Sequence, residues 1–103
     1  MNAAFVFHPA AEAELREIVR HTRKQWGEAQ ARNYMTKPRC GIQALASGKK
    51  PYKDMSGLYP ALRMARCEHH YIFCLPQPDA PALVVAILHE RMDIMARLAH
   101  RLE

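Results

Sequence analysis

The chain has 103 residues, half of them hydrophobic, and a formal net charge of +5 at pH 7. This length suits one domain covering residues 1–103, and the apolar content is too high for a disordered chain. The longest apolar run, residues 82–88, is too short to cross a bilayer, and no secretory signal opens the chain, so we expect a cytoplasmic protein without a membrane partner.

The N-terminal third predicts a strand followed by an amphipathic helix. Residues 5–7 form a short apolar run that His8 and Pro9 stop, and proline suits the first turn of a helix because no amide hydrogen bond is lost there. Apolar positions then recur at helical spacing and end before Gly27. The predicted stripe consists of Ala11, Leu15, Ile18, Val19, Thr22 and Trp26.

A second helix is predicted from Glu28 to Gly48, which makes an antiparallel helical hairpin with the first. Its apolar side would contain Ala31, Tyr34, Met35, Ile42, Leu45 and Ala46. Pro38 lies within the same stripe, where a proline removes a backbone hydrogen bond at a cost of roughly 3 kcal/mol. We therefore expect a kink or a break at Pro38.

The second half of the chain predicts three strands and a last helix. Residues 49–60 are typical of a loop, residues 62–67 and 71–75 of two strands around a tight turn at 68–70, and residues 76–81 of a linker. Residues 82–88 predict a strand buried on both faces. Asp93 can cap a helix through Ile94, Met95, Leu98 and Leu102. Met64, Met92 and Met95 are expected in the core or an interface.

Positive charge is concentrated in the middle of the chain. Between residues 32 and 66 a single acid, Asp54, stands among basic residues that we call the basic belt: Arg32, Lys37, Arg39, Lys49, Lys50, Lys53, Arg63 and Arg66. Such a belt favours nucleic acid or an acidic protein surface as partner, and its alternative is a solvated face that keeps the chain soluble. The scarcity of aromatic residues among these cations argues against direct binding of nucleic-acid bases.

The cysteines predict neither a metal site nor a redox site. Cys40, Cys67 and Cys74 are odd in number, and no pair has the C-x-x-C spacing. Cys67 lies close to His69 and His70, but a closed zinc site needs four ligands and the sequence offers no second cluster. We expect no metal and no cofactor.

Residue patterns along nearly the whole chain resemble the RelE/ParE toxin superfamily, and its ParE-like branch above all. The first helix carries Ala10-Ala11, Leu15, Ile18 and Trp26-Gly27, and the second carries Tyr34, Ile42 and Leu45-Ala46. Later positions that match are Leu62-Arg63, Arg66, His70 and Ile72. The most specific match is Ile87-Leu88-His89-Glu90-Arg91-Met92-Asp93, similar to the ParE ending in which the last strand enters an H-x-R-M-D turn.

The resemblance implies an α+β fold in which a helical hairpin packs on a small, mainly antiparallel sheet, in the order β-α-α-β-β-β-α. The chain departs from the family pattern at three positions. Pro38 replaces a large aliphatic residue, Glu68 a glycine that is frequent in the hairpin turn, and Cys74 a common tyrosine. We expect Pro38 to bend the second helix and to weaken its packing or its partner surface.

Two activities occur on this fold, and the resemblance favours one of them. ParE-like toxins of type II toxin–antitoxin systems bind DNA gyrase without being enzymes, and a ParD-like antitoxin silences them by laying a helix and an extended tail across the toxin, often in a heterotetramer. RelE-like toxins are ribosome-dependent mRNA endoribonucleases that tend to place a catalytic residue near the chain end. Here a whole helix follows the last strand, which favours the gyrase-binding branch.

Two sets of residues are candidates for the site. If the chain is a ribonuclease, His89 would be the general acid and Arg63, Arg66 and Arg91 would surround the phosphate. If it is a ParE-like toxin, there are no catalytic residues, and antitoxin or target would contact Lys49, Lys50, Lys53, Arg63, Arg66 and Arg91. In that case His89, Arg91 and Asp93 form a structural corner, where an Arg91–Asp93 pair fixes the turn between strand and helix.

Overall fold

The computed structural model describes residues 4–48 and 52–102, and within residues 34–40 it describes the backbone. The described residues form three helices and one five-stranded sheet of order β1-β5-β4-β3-β2, in which β1 is parallel to β5 and the other pairs are antiparallel. The elements are β1 (Phe5–Phe7), α1 (Pro9–Trp26), α2 (Glu28–Ser47), β2 (Lys53–Asp54), β3 (Arg63–Cys67), β4 (His70–Gln77), β5 (Ala80–His89) and α3 (Ile94–Arg101). The predicted α+β class with a mainly antiparallel sheet is confirmed, whereas the two-residue edge strand β2 was predicted as loop.

Local chemistry fixes the ends of the helical hairpin. At the start of α1 the Nδ1 atom of His8 accepts a hydrogen bond from the amide of Ala10 at 3.0 Å, and Pro9 occupies the first helical position. Gly27 with φ +82° separates the two helices, and Gly48 with φ +78° ends α2 in the left-handed conformation that suits glycine. The helix α2 runs as one element across Pro38, so the expected break is wrong, while the kink stays a prediction.

Strand β5 organises the core because it lies between β1 and β4 with a helix layer on each face. Ala82 and residues 84–88 are buried, which confirms the prediction of a strand buried on both faces. On the α1–α2 face the buried cluster includes Ala11, Ile42, Leu45, Ile72, Val84 and Ile87. On the other face Leu98 of α3 packs with Leu62, Phe73, Val85, Ala86 and Leu88.

Two tight turns connect β3, β4 and β5. The first, predicted at residues 68–70, consists of Glu68 and His69, because His70 already belongs to β4. Glu68 adopts φ +55°, a conformation that glycine takes at lower cost. The predicted linker over residues 76–81 is wrong, because β4 extends to Gln77 and β5 begins at Ala80. The pairing shifts register between Leu75 and Gln77, which accommodates Pro76, a residue without an amide to donate to the ladder.

Three apolar residues lie outside the core: the burial predicted for Trp26 is wrong, and for Met92 and Met95 the interface alternative stays a prediction. Trp26, expected in the buried stripe of α1, is 50% exposed, and Met92 and Met95, expected in a core or an interface, are 40% and 53% exposed. Trp26 lies in the last turn of α1 and both methionines lie near the start of α3, so the exposed residues are at helix ends. Within the described residues no helix is long and apolar enough to cross a membrane.

Candidate functional site

The turn from β5 into α3, residues 89–93, is held by its own side chains. The carboxylate of Asp93 caps α3 by accepting a hydrogen bond from the amide of Ala96 at 3.2 Å. The Nδ1 atom of His89 accepts the amide hydrogen of Arg91 at 3.1 Å. The expected Arg91–Asp93 ion pair is wrong, because among the described residues no ion pair or hydrogen bond of the Arg91 guanidinium is found.

Glu90 forms its contacts across the sheet and not within the turn. Its carboxylate accepts hydrogen bonds from the Arg66 guanidinium and from Nδ1 of His69, the latter at 2.9 Å. The His69 hydrogen bond is the main cause that lowers the pKa of Glu90, and the charge of Arg66 lowers it further. Arg66 also donates to the carbonyl oxygen of Glu68 at 3.1 Å. These residues therefore fasten the β3–β4 turn to the end of β5.

Arg63 is committed to the opposite end of the sheet. Its guanidinium donates to the carbonyl oxygen of Leu45 in the last turn of α2 at 2.8 Å and lies 5.1 Å from the centre of the Tyr52 ring. Arg63 and Arg66 are three residues apart in one strand, so their side chains leave opposite faces. The nuclease candidates Arg63, Arg66 and His89 thus do not converge on one phosphate-sized point.

The structure describes the side chains of half of the basic belt, namely Arg32, Lys53, Arg63 and Arg66. Lys49 and Lys50 lie outside the described residues, and Lys53 is exposed in the edge strand β2. Arg32 pairs with Glu28 at 3.8 Å on the surface of α2. Arg63 and Arg66 make the contacts described above, but Arg66 keeps 56% of its side chain exposed, and Lys53 and Arg91 are exposed as well.

A groove of about 520 Å³, which we call the α1–β5 groove, lies between α1 and the end of β5. One wall is the side of α1 from Glu14 to Trp26, and the floor is Ile87 at the end of β5. His69, His70, His89 and Met92 also line it, and His21 lines it from α1. The sequence gives no sign of this groove because its lining residues come from α1, the β3–β4 hairpin and the β5–α3 turn.

Three imidazole rings that line the groove lie close together. His70 and His89 are directly opposite in the β4–β5 ladder, with ring centres 5.0 Å apart, and the rings of His69 and His89 are 6.4 Å apart. Burial lowers the pKa of His70, and the neighbouring His89 and His69 lower it further. Among the described residues no group of three or more His, Cys, Asp or Glu side chains is arranged to hold a metal ion. Burial also raises the pKa of the Cys74 thiol to about 11, so this cysteine remains protonated and unreactive.

A largely buried ion pair lies beside the groove at Glu14, and sequence analysis missed it. The Glu14 carboxylate accepts from the amide of Ile87 at 3.0 Å and from both terminal nitrogens of Arg101 at 3.0 and 2.8 Å. Arg101 also donates to the carbonyl oxygen of Val85 at 3.0 Å. Strand β1 pairs with β5 only as far as Val84. Beyond that point, Glu14 and Arg101 provide hydrogen-bond partners for the backbone of β5.

Known proteins with similar sequences share both length and pattern with this chain. Residues 5–94 match the family model described as ParE toxin of type II toxin-antitoxin system, parDE. The chain is 63% identical to Toxin ParE from Escherichia coli over 100 residues, which are 97% of each protein. It is 29% identical to Toxin ParE1 from Mycobacterium tuberculosis over 94 residues, which are 91% of this chain and 96% of that protein.

Proposed function

The chain belongs to the ParE toxin family of type II toxin–antitoxin systems, and on that basis we propose that it arrests growth by binding DNA gyrase and is silenced by a ParD-like antitoxin. The observation that carries the proposal is the similarity to Toxin ParE over 97% of the chain, which includes the β5–α3 turn and the helix after it. The toxin acts in the cytoplasm, where gyrase meets DNA, and it acts by contact without catalysing a reaction.

The geometry around His89 supports binding more than catalysis. Ribonuclease chemistry needs a base, an acid and cations around one scissile phosphate. Here Arg66 is paired with Glu90, Arg63 is bound to the end of α2, and His89 accepts a backbone hydrogen bond within its turn. Each contact stabilises the fold without substrate. Ribosome-dependent mRNA cleavage is the alternative function.

Two assays on purified protein separate these functions. We expect the chain to inhibit supercoiling by gyrase and to leave mRNA on translating ribosomes intact. His89→Ala should retain most gyrase inhibition, since an imidazole that only braces a turn is not part of a reaction. His21→Ala, in the same groove but on α1, is the matched control for loss of an imidazole. Cleavage of mRNA with unaffected supercoiling would overturn the proposal.

The antitoxin is defined by function in this proposal. It is the polypeptide whose co-expression restores growth to cells that produce this chain, and it binds the purified toxin directly. The toxin–antitoxin complex should form a heterotetramer, which light scattering coupled to gel filtration measures. If growth arrest occurs and no antitoxin polypeptide relieves it, this part of the proposal is wrong.

A further inference from the structure

A hydrogen bond that depends on a neutral imidazole holds the turn between β5 and α3. The Nδ1 atom of His89 accepts the amide hydrogen of Arg91 at 3.1 Å, so the neutral ring carries its own hydrogen on Nε2. Protonation places a second hydrogen on Nδ1 and leaves the ring with two donors and no acceptor. A protonated His89 therefore points a donor at the amide of Arg91, and the hydrogen bond cannot form in that state.

Two further imidazoles lie against His89. The ring centres of His70 and His89 are 5.0 Å apart, and those of His69 and His89 are 6.4 Å apart. Histidine is the side chain whose charge ordinarily changes between pH 5 and 8. Because like charges at such distances repel, each proton that this histidine cluster takes up opposes the uptake of the next one.

The charged groups around His89 do not cancel the added charge. They come from α1, from the β3–β4 hairpin and from the turn itself: Glu14, Glu17, His21, Arg66, His69, His70, Glu90, Arg91 and Asp93. The acids among them already have contacts, since Glu14 pairs with Arg101, Glu17 pairs with Arg20 and Asp93 caps α3. Glu90 accepts hydrogen bonds from Arg66 and His69.

The three histidines differ in what a proton does to their contacts. His69 donates from Nδ1 to Glu90, and a protonated ring can still make that bond. Burial opposes a charge on His70, and the neighbouring His89 and His69 oppose it further, so the pKa of His70 is lowered. His89 is the member of the cluster that exchanges a backbone hydrogen bond for a repulsive contact when it is protonated.

The elements on either side of the turn are held independently of His89. Leu98 of α3 is completely buried, and Arg101 of the same helix pairs with Glu14 of α1. Before the turn, β5 is paired with β4 along its length, from Ala80 to His89. Loss of the bond between His89 and Arg91 should therefore loosen the turn without separating the strands or releasing α3.

We infer that the turn over residues 89–93 is acid-sensitive: a proton on Nδ1 of His89 breaks the hydrogen bond from the Arg91 amide, and the turn loosens while the sheet stays paired. Because His89 and Met92 both line the α1–β5 groove, the same step changes the outline of the groove and adds positive charge to its wall. The inference concerns the toxin chain alone and does not depend on its target or on an antitoxin.

Nuclear magnetic resonance of the full-length chain, from about pH 7.5 to pH 5, tests this inference. The ¹⁵N shifts of the His89 ring report its tautomer and its protonation, and hydrogen exchange reports the Arg91 amide. Protection is expressed relative to an unstructured chain at the same pH. We expect protection of the Arg91 amide to fall by about fivefold to tenfold as His89 takes up its proton, which is the contribution of one hydrogen bond. Amides of the buried residues of β4 should change by less than about twofold.

Two matched variants assign the effect to His89. In His89→Asn the side-chain oxygen can accept the amide hydrogen two residues farther on, and it does not titrate, so the Arg91 amide should keep its protection over the whole pH range. His21→Asn makes the same change at another imidazole that lines the groove, and it should behave as the unchanged chain does.

Three results would overturn the inference: protection of the Arg91 amide that persists when His89 is protonated, an equal loss of protection in His89→Asn, or an equal loss throughout β4. If circular dichroism shows that His89→Asn is poorly folded, the unchanged chain decides. The His89 ring and the Arg91 amide must then share one pH midpoint, and separate midpoints reject the inference. Gyrase inhibition at neutral pH is measured separately, so it stands or falls independently of these results.

Discussion

Replacing Arg101 by alanine is the sharpest test of how the free edge of β5 is stabilised. The substitution removes both hydrogen bonds that Arg101 donates to Glu14, and it leaves the carbonyl oxygen of Val85 without its side-chain donor. Glu14 would keep one bond, from the amide of Ile87. Because the side chains of Arg101 and Glu14 are 17% and 20% exposed, the carboxylate would remain largely desolvated without a counter-charge.

The expected loss follows from that desolvation. Removing one partner of a fully buried ion pair destabilises a protein by about 3–5 kcal/mol, and partial exposure here reduces this to about 2–4 kcal/mol. For a domain of this size such a loss corresponds to a fall in Tm of about 10–20 °C. The hydrogen bond to Glu14 also raises the pKa of Arg101, so this guanidinium stays charged throughout the neutral range.

Helix α1, which carries Glu14, also offers an exposed ion pair as a matched control. Arg20 and Glu17 approach to 3.0 Å, but their side chains are 74% and 69% exposed, so Arg20→Ala should change the free energy of unfolding by less than about 0.5 kcal/mol. Thermal and urea unfolding are measured for both variants, for Glu14→Ala and for the Glu14→Ala/Arg101→Ala double variant. The cycle of Glu14 and Arg101 variants gives the coupling energy of this pair, expected to exceed about 1 kcal/mol. Similar Tm values for Arg101→Ala and Arg20→Ala would refute the role given to burial and to the strand edge.

Three further substitutions test other parts of the fold. His70 has a pKa below its ordinary value of 6.5, so on acidification the unfolded chain takes up a proton at this residue before the folded chain does, and Tm should fall as the pH drops below about 6.5. His70→Gln should flatten this dependence of Tm on pH. An unchanged slope would exclude His70 as its source. Asp93→Ala removes the cap of α3 and should lower the free energy of unfolding by about 1 kcal/mol in urea titrations, while Asp93→Asn should cost much less. Pro38→Leu restores a backbone donor inside α2, so it should raise the free energy of unfolding by up to about 3 kcal/mol and raise Tm with it. It should also increase growth inhibition. A variant indistinguishable from the unchanged chain in both measurements would contradict the expected weakening by Pro38.

Elements with a clear period or a strong boundary could be predicted from the sequence. The stripe of α1 and the glycines at positions 27 and 48 define the helical hairpin, and the apolar run of β5 marks the buried strand. Strand β2 has two residues, too few to show any period, and it exists because Lys53 and Asp54 reach the edge of β3. The segment around Pro76 looked like a linker because proline usually interrupts a ladder, whereas a register shift absorbs it here.

The sequence predicts which residue types form the candidate site, but it does not predict which side chains bind one another. The sequence marks Glu90, Arg91 and Asp93 as charged groups of one turn, and proximity along the chain suggested bonds among them. The ladder instead places His70 opposite His89, which brings His69 and Arg66 within reach of Glu90. Such pairings depend on strand register, and register is set by long-range packing that a single sequence does not display.

The residues from Val85 to Asp93 show why a distinctive motif need not be an active site. Glu14 and Arg101 hold the inner part of this segment through the amide of Ile87 and the carbonyl oxygen of Val85. Farther along, the motif's own polar side chains hold the turn and cap α3, as described above, and each does so without substrate. What stays available in the turn is the Arg91 guanidinium beside an exposed Met92, a combination that suits contact with another protein better than proton transfer. Substitutions that remove the hydrogen bonds of the turn should therefore lower the free energy of unfolding, whereas substitutions at Arg91 should mainly lower the affinity for a partner protein.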